Sequence, residues 1–441
     1  MSAIIVTLTI LFIASIGFAI LRGFHFLQKK DTLFAIGASY GLGVGLVGMQ
    51  LYLYSKLTIP WQREFLIIPW IVLFGIVLMR NRKYIRLHIP KIPATGKVEK
   101  MLLIGILLTI GYVVFEALLR PVFAWDSWAD WLLYPRMFFI DGRITSQTLH
   151  YTFSGYPMTV SLLGTFIYLI LGHIDDTSVL LFSTAFYVFL AIAFFAVLKE
   201  RFGLRYALLF TLLMVTTQSF VRQGGRLEAG LADLPQGYYA FLSVIFLFIY
   251  FKNQTVKTLF IFTVFLSFVT LIKYEGIPLS FFIAICAFIY IIKNRLFKHI
   301  LVLILWMLPF LFWQIDRRLT GIENTYFSNA HPKEIGINKS INAFSGTFRE
   351  LINVKTWGIL WITYFYALIA FGIRKQRELA VLHFVILCQL SLYLLIYNVT
   401  YGNTPESSIE RLLMHIAPLA FLSIAIVFKL LFKNKKIIFS K

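Results

Sequence analysis

The strongest constraint on this chain is the recurrence of apolar runs along nearly its whole length. Each run has about twenty residues, enough to cross a hydrocarbon layer of ~30 Å as a helix. A backbone in lipid must satisfy its own hydrogen bonds, so these runs predict helices. We therefore expect an all-α, polytopic transmembrane helical bundle of about thirteen spans. The predicted spans are residues 3–21, 33–54, 64–79, 101–119, 177–198, 204–221, 236–251, 257–272, 276–292, 299–315, 354–372, 379–397 and 411–432.

Composition and charge distribution support a membrane protein over a nucleic-acid-binding one. Of 441 residues, 59% are hydrophobic and only 14% are charged, whereas soluble domains are nearer half apolar and a quarter charged. The net charge of +21 comes from Lys and Arg residues in short clusters between apolar runs, as the positive-inside rule produces. The two cysteines, Cys286 and Cys388, lie within apolar runs. They indicate neither a disulfide framework nor a zinc site.

The basic clusters also predict the topology. Residues 155–172 form an ambiguous apolar stretch, and all clusters fall on one side only if this stretch does not span. We therefore expect 155–172 to lie at the interface or to re-enter. The protein then sits in the cell membrane with its N-terminus outside and its C-terminus in the cytoplasm. The clusters are Arg22, Lys29 and Lys30; Arg80 through Lys100; Lys199, Arg201 and Arg205; Lys252 and Lys257; Lys293, Arg295 and Lys298; Arg374, Lys375 and Arg377; and Lys433, Lys435 and Lys436.

This topology divides the chain into three parts. Residues 1–100 are predicted to form a three-helix extension with a basic cytoplasmic loop, 101–432 the transmembrane core, and 433–441 a basic cytoplasmic tail. Function is expected in the external loops, because loops held by a rigid scaffold usually carry it. The first loop should contain interfacial helices. These loops are 120–176, 222–235, 316–353 and 398–410.

One glycine pattern resembles a dinucleotide-binding fingerprint but lacks its context. Gly43-x-Gly45-x-x-Gly48 lies inside an apolar span, whereas the fingerprint needs a strand before it and a helix after it. Small residues that let membrane helices approach closely explain the pattern better.

The first external loop carries two acids among tryptophans, in the segment Trp125 to Trp131. If the segment is helical, Asp126 and Asp130 lie one turn apart on one face. Carboxylates beside membrane and aromatic surface should have raised or split pKa values, which suits a general base. The alternative is an aromatic belt, with Trp128 as an interfacial anchor, and two solvated acids.

Two later turns place charges at the same membrane side. Asp233 comes just before Pro235 at the mouth of a span, which suits an N-cap as well as a functional acid. In the preceding loop, Arg222 and Arg226 either hold an anion or neutralise Glu228. Lys273-Tyr-Glu275-Gly separates two apolar runs with almost no loop. Lys273 either snorkels to water or lies at the lip of a cavity that holds a phosphate.

The last span begins with Arg411, and His415 follows one turn deeper on the same face. A lone helical His is more often a satisfied core residue than a catalyst. However, Arg followed by His inside an apolar helix is costly unless the pair faces a polar cavity.

These ordered motifs resemble those of the polytopic GT-C glycosyltransferases. The chain looks most like the prokaryotic dolichyl-phosphate-mannose–protein mannosyltransferase and aminoarabinose transferase group, over residues 101–432. One departure is Asp126-Ser127 where the protein mannosyltransferases have an adjacent Asp-Glu pair. The matching features are Asp126, Tyr156-Pro157, Ala232-Asp233-Leu234-Pro235, Lys273-x-Glu275-Gly276, and Glu410-Arg411-Leu412-Leu413 with Pro418.

The resemblance implies a hexosyl or pentosyl transferase. It would move a sugar from a polyprenyl- or dolichyl-phosphate lipid to the hydroxyl of a glycan, lipid or protein acceptor, with inversion. Asp126 and Asp233 are then the catalytic candidates, and a divalent Mg or Mn shared between them is an open alternative. Lys273, Arg411 and Arg226 are candidates for binding the donor phosphate. The candidates for substrate binding are Asp130, Trp128, Tyr156, Tyr274, Glu275 and His415.

Two other functions fit parts of the pattern. A transporter or flippase for a lipid-linked saccharide would also have many spans, but transporters commonly show repeats and midplane polar groups. A polysaccharide ligase or polymerase would use a lipid-diphosphate donor and concentrate Arg and His in one external loop. Loop 316–353 carries Arg317, Arg318, His331 and Arg349.

Overall fold

The computed structural model describes residues 1–28, 31–85, 96–150, 156–322, 336–371, 376–399 and 405–438. Parts of the predicted basic loop, of external loops 120–176, 316–353 and 398–410, and of the tail lie outside these residues. The described residues form helices and no strands. The first half contains α1 (Ser2–Gly23), α2 (Thr32–Lys56), α3 (Arg63–Ile85), α4 (Lys97–Leu119), α5 (Leu133–Asp141), α6 (Ser146–Leu149), α7 (Thr159–Leu171), α8 (Asp176–Val179), α9 (Leu181–Phe202), α10 (Leu204–Thr216) and α11 (Gln218–Gly225). The second half contains α12 (Asp233–Asn253), α13 (Val256–Thr270), α14 (Gly276–Lys293), α15 (His299–Ile304), α16 (Leu308–Leu319), α17 (Ile337–Leu351), α18 (Val354–Trp357), α19 (Leu360–Phe371), α20 (Arg377–Val399), α21 (Pro405–Met414) and α22 (Ala417–Ile438).

The helices make this a multi-pass membrane protein. Within the described ranges, eight helices are long and apolar enough to cross a bilayer, and up to ten if each of two bent pairs is one span. The bent pairs are α10 with α11, at 68°, and α21 with α22, at 55°. The eight are Ser2–Gly23, Thr32–Lys56, Lys97–Leu119, Asp176–Phe202, Asp233–Asn253, Gly276–Lys293, His299–Leu319 and Arg377–Val399.

Three apolar helices are shorter than a span requires. The predicted interfacial stretch contains α7, whose 13 residues extend about 20 Å, less than a ~30 Å hydrocarbon core. Of the stretches predicted to span, 257–272 contains the 15-residue α13. The stretch 354–372 is divided into α18 and α19 at Gly358, whose φ is +57°. A glycine with positive φ ends the first helix there, so the apolar run is not one continuous helix.

The glycines of α2 permit close helix packing. A Cβ atom on Gly43 would lie 2.0 Å from the carbonyl oxygen of Ile13 on α1. On another face of α2, the Tyr239 hydroxyl of α12 donates to the Gly41 carbonyl at 2.7 Å. The helix is therefore buried among its neighbours, and its glycine motif serves packing rather than nucleotide binding, as the sequence predicts.

The chain direction of the helices gathers several loops at one end of the bundle. Helix α12 begins at Asp233, α14 begins at Gly276 and α20 ends at Val399. The opposite ends of α9, α12 and α20 surround a separate cavity of about 570 Å³. The polar residues singled out from the sequence lie at the end of the bundle where α12 and α14 begin and α20 ends. The π-helical turn Ser127–Trp131 and helix α21 lie at the same end.

Candidate functional site

A fully buried carboxylate lies at the centre of the site. Asp233, the first residue of α12, has no exposed surface. Its Oδ1 accepts from Lys273 Nζ at 2.7 Å and lies 2.9 Å from His415 Nε2, and its Oδ2 accepts from Arg411 Nε at 3.2 Å. Both carboxylate oxygens of Asp233 are thus hydrogen-bonded. A buried charge is tolerated only when paired and hydrogen-bonded in this way.

The hydrogen bonds around His415 assign its tautomer. Nε2 faces the Asp233 carboxylate, which can only accept, so Nε2 carries the proton. Nδ1 then accepts from the Tyr393 hydroxyl at 2.9 Å. His415 therefore bridges Tyr393 and Asp233 and holds the Asp233 carboxylate in place.

Arg411 joins two carboxylates from distant parts of the chain. Its Nε bonds Asp233, and its Nη1 forms an ion pair with Asp126 of the first external loop. About a quarter of the Arg411 side chain and a third of the Asp126 side chain remain exposed. Arg411 therefore links the buried centre to the surface that a substrate can reach.

The turn between α13 and α14 places a second cation and a third acid. Lys273 is 3% exposed, and its Nζ lies 3.7 Å from Glu275 Oε1 as well as against Asp233. A Cβ on Gly276 would lie 2.0 Å from the Val269 carbonyl oxygen, so the tight turn needs glycine there. Because Lys273 is enclosed by two carboxylates, it reaches a phosphate only if one of them gives way.

Asp130 lies next to this centre, beside the aromatic rings of Trp131, Tyr134 and Tyr156. Burial raises its pKa to about 6, the charge of Asp126 adds to the rise, and Arg411 and Lys273 oppose it. Tyr156 in turn packs against Tyr274, with the two ring centroids 5.3 Å apart. A carboxyl group with a pKa near neutrality is suited to proton exchange. Asp130 and Tyr156 line a small hollow together with Trp131, Tyr134, Pro157 and Ser161.

A second ion cluster, around Arg222, adjoins the first. Arg222 forms ion pairs with Glu228 and, at 3.1 Å, with Glu410, the residue before Arg411. Burial raises the pKa of Glu228 to about 7, with Glu410 and Asp233 adding to the rise and Arg222 opposing it. The sequence allowed Arg222 to neutralise Glu228, but it gave no indication of the contact between Arg222 and Glu410.

Two of the predicted site residues are not brought into this network. No ion pair within 4.0 Å joins Arg226 to Asp126 or Asp233, and its Nε has no hydrogen-bond partner among the described residues. Its charge acts instead on Glu116 of α4. Trp128 is 40% exposed and packs edge-on against Trp125, as an interfacial tryptophan does.

An apolar groove of about 380 Å³ lies next to the Lys273 turn. Leu271, two residues before Lys273, lines it. At its rim the Lys56 ammonium lies 2.7 Å from Asp316. Leu53, Phe312 and Ile315 of its wall are at least half exposed, so the groove opens on the outer surface of the bundle. The remaining lining comes from α2, from α7 and the residue before it, and from α16, including Tyr52, Leu53, Met158, Leu162, Phe312 and Trp313.

The residues present do not fit a metal ion. In the part of the chain that the structure describes, no group of three or more His, Cys, Asp or Glu side chains is placed to hold a metal ion. Asp126 and Asp233, the two acids considered as ligands, are instead bridged by Arg411. A guanidinium in that position supplies the positive charge that a divalent cation would otherwise bring.

The site thus combines carboxylates able to accept a proton with cations able to stabilise an anion, at one end of a membrane bundle. Comparisons of the chain with protein-family models, curated protein sequences and solved structures find no match.

Proposed function

We propose that the protein is a membrane-embedded glycosyltransferase of the GT-C type. It transfers a hexose or pentose from a polyprenyl- or dolichyl-phosphate donor to an acceptor hydroxyl, with inversion. In this proposal the bundle has thirteen spans, with the N-terminus outside the cell and the site on the non-cytoplasmic face. The supporting observation is the pairing of Asp126 and Asp233 through Arg411, with Lys273 beside them.

The reaction assigns a role to each charged group. The acceptor oxygen forms a bond to the anomeric carbon while the bond from that carbon to the phosphate oxygen breaks. The lipid phosphate leaves with the electron pair, and Arg411, aided by Lys273, stabilises its charge. Asp126 takes the acceptor proton as general base. Since a phosphate monoester anion is a stable leaving group, the reaction needs no strong general acid.

The remaining residues hold this geometry. Asp233 fixes Arg411, Lys273 and His415 through one buried carboxylate. The rings of Tyr156 and Tyr274 offer an apolar surface on which a sugar ring can pack. Asp130, which lines the same hollow as Tyr156, can accept a hydrogen bond from a sugar hydroxyl.

The groove beside Leu271 favours a lipid-linked donor over a soluble nucleotide sugar. An isoprenoid chain is apolar throughout and diffuses within the bilayer, to which this groove opens. With the chain in the groove, its phosphate would lie near the Lys273 turn. A soluble donor would need no such surface.

The test is transfer of a radiolabelled sugar from polyprenyl phosphate in membranes that contain the full chain. The label should leave the donor lipid and appear on an acceptor. Asp126→Asn should lower the rate by roughly 10²–10⁴-fold, the usual contribution of a general base, without loss of membrane insertion. Glu406→Gln is the matched control, because Glu406 is an exposed acid on the helix that carries Arg411.

Two results would contradict the proposal. Normal turnover by Asp126→Asn would remove the base assignment. Intact labelled donor that merely changes membrane leaflet would indicate a flippase instead of a transferase.

A further inference from the structure

Two bent helix pairs place short half-helices at the end of the bundle that holds the candidate site. Helix α11 follows α10 at a bend of 68°, and α21 precedes α22 at a bend of 55°. A continuous helix keeps one direction because its backbone hydrogen bonds run unbroken, whereas a sharp kink interrupts them. The directions of α11 and α21 therefore depend on the contacts that each half-helix makes with its neighbours.

One ion pair joins these two half-helices. Arg222 lies on α11 and Glu410 on α21, and Arg222 Nη1 donates to the two Glu410 carboxylate oxygens at 3.1 and 3.2 Å. The same guanidinium is held on its other side, because its Nη2 donates to Glu228 in the turn after α11. On another face of α21, the hydroxyl groups of Ser408 and Tyr397 lie 2.8 Å apart. Arg222 thus fixes the face of α21 that lies towards α11.

The direction of α21 determines where the Arg411 guanidinium lies, because Arg411 directly follows Glu410. Successive residues on a helix are about 100° apart, so Glu410 contacts α11 while Arg411 bonds Asp233 and Asp126. A donor phosphate on Arg411 would compete with Asp126 for the guanidinium. Once Asp126 is displaced, the contacts that still hold Arg411 are its bond to Asp233 and those that fix its helix.

We propose that Arg222 and Glu410 are positioning residues, which act through the direction of α21 to hold Arg411 against the leaving phosphate. Their part in the reaction rests on the proposed glycosyltransferase function. The donor phosphate gains negative charge as its bond to the anomeric carbon breaks, so a guanidinium fixed in advance stabilises the transition state more than the bound donor. A displaced guanidinium can still contact the bound donor through a water molecule. Loss of the Arg222–Glu410 pair should therefore lower kcat more than it raises KM.

The first test compares two matched ion pairs in the full chain, reconstituted in vesicles. Glu410→Gln disrupts the pair with Arg222, and Glu378→Gln disrupts the pair with Arg201 at the opposite end of the bundle. The members of both pairs are a quarter to a third exposed, so the two losses of stability should be alike.

Glu410→Gln should lower kcat for sugar transfer by roughly 10²-fold, as expected for a displacement of about 1 Å, with KM for the polyprenyl-phosphate sugar changed by less than about threefold. Glu378→Gln should keep the wild-type kcat. Equal kcat values in the two variants would overturn the proposal.

Rescue and coupling separate positioning from a merely structural role. Arg222→Lys keeps a positive charge opposite Glu410 and should turn over faster than Arg222→Gln. The double variant Arg222→Gln with Glu410→Gln should be no slower than Arg222→Gln alone, because both changes remove the same contact. Losses that multiply in the double variant would show that the two residues act separately and would refute the proposal.

A distance measurement tests the placement of α21 without catalysis. Spin labels are attached at Gln218→Cys on α11 and Glu406→Cys on α21, both exposed positions, after the two native cysteines are replaced by alanine. Glu410→Gln should broaden the distribution of distances between the labels, whereas Glu378→Gln should leave it as in the wild type. A distribution unchanged by Glu410→Gln would refute the positioning role.

The two measurements fail in different ways. Absence of sugar transfer by the wild type, together with a distribution broadened by Glu410→Gln, would refute the transferase and leave Arg222 and Glu410 as the residues that place Arg411. Normal transfer by the wild type, with no effect of Glu410→Gln on kcat or on the distances, would refute the positioning role and leave the transferase standing.

Discussion

Asp233→Asn is expected to destabilise the fold severely, because one carboxylate neutralises several buried groups. Asp233 is fully buried and bonds Lys273, Arg411 and His415. In the variant, Lys273 is left 3% exposed with only Glu275, at 3.7 Å, as an opposite charge among the described residues. Removing one partner of a buried pair costs about 3–5 kcal/mol. We expect a loss of this size in the free energy of unfolding.

Asp126→Asn supplies the contrast. It breaks an ion pair whose members are a quarter to a third exposed, and such pairs contribute about 0–1 kcal/mol. The two variants should therefore differ by roughly 2–5 kcal/mol although each removes a carboxylate from the same arginine. Unfolding by SDS in mixed micelles, followed by circular dichroism, measures the difference.

A double variant tests the cause. Asp233→Asn with Lys273→Met removes both members of the shortest buried ion pair and should recover part of the stability lost in Asp233→Asn alone. If Asp233→Asn unfolds within about 1 kcal/mol of the wild type, the far smaller cost expected of an exposed pair, the buried centre does not carry the stability assigned to it.

Three further perturbations test other parts of the structure. Burial holds the pKa of Asp130 at about 6, against 3.8 for an ordinary Asp; the folded state then keeps its proton more tightly than the unfolded chain. The free energy of unfolding should therefore fall as the pH rises from 3.8 to about 6. In Asp130→Asn the melting temperature should depend less on pH over this range. Gly276→Ala should displace the Lys273 turn, because its Cβ would meet the Val269 carbonyl; sugar transfer at wild-type rate would contradict this. A cysteine in place of Asp175 should react with an impermeant maleimide from outside the cell, and labelling only from the cytoplasm would refute the proposed topology.

The helical architecture could be predicted because apolar runs of membrane length admit few other structures. One of the two bends could not be predicted. The bend between α10 and α11 falls at Thr217, which is not a characteristic helix breaker. The bend between α21 and α22 lies just before Pro418, which cannot donate to the Met414 carbonyl, so the sequence did carry a signal there. Gly358 does divide a predicted span, but an isolated glycine in an apolar run usually marks close packing.

The convergence of Asp126, Asp233, Lys273 and Arg411 was predictable for an energetic reason. Asp233 and Lys273 stand at or next to the ends of apolar helices, and Asp126 and Arg411 lie in segments that adjoin such helices, where burial of a charge is costly unless opposite charges meet. Arg226 lies in a similar loop but faces elsewhere, since a loop residue has no helical period to indicate its direction.

In the resting site, Arg411 is paired with Asp126, so the proposed phosphate-binding group and the proposed base occupy each other. The guanidinium that would bind the donor phosphate is already held by the carboxylate assigned as base. An arriving phosphate must therefore compete with Asp126 for the same N–H groups, and success releases the carboxylate to accept a proton. In the proposed enzyme, Asp126 would stay paired with Arg411 until the donor phosphate binds. Asp126 would therefore not activate a water molecule before the donor is in the site.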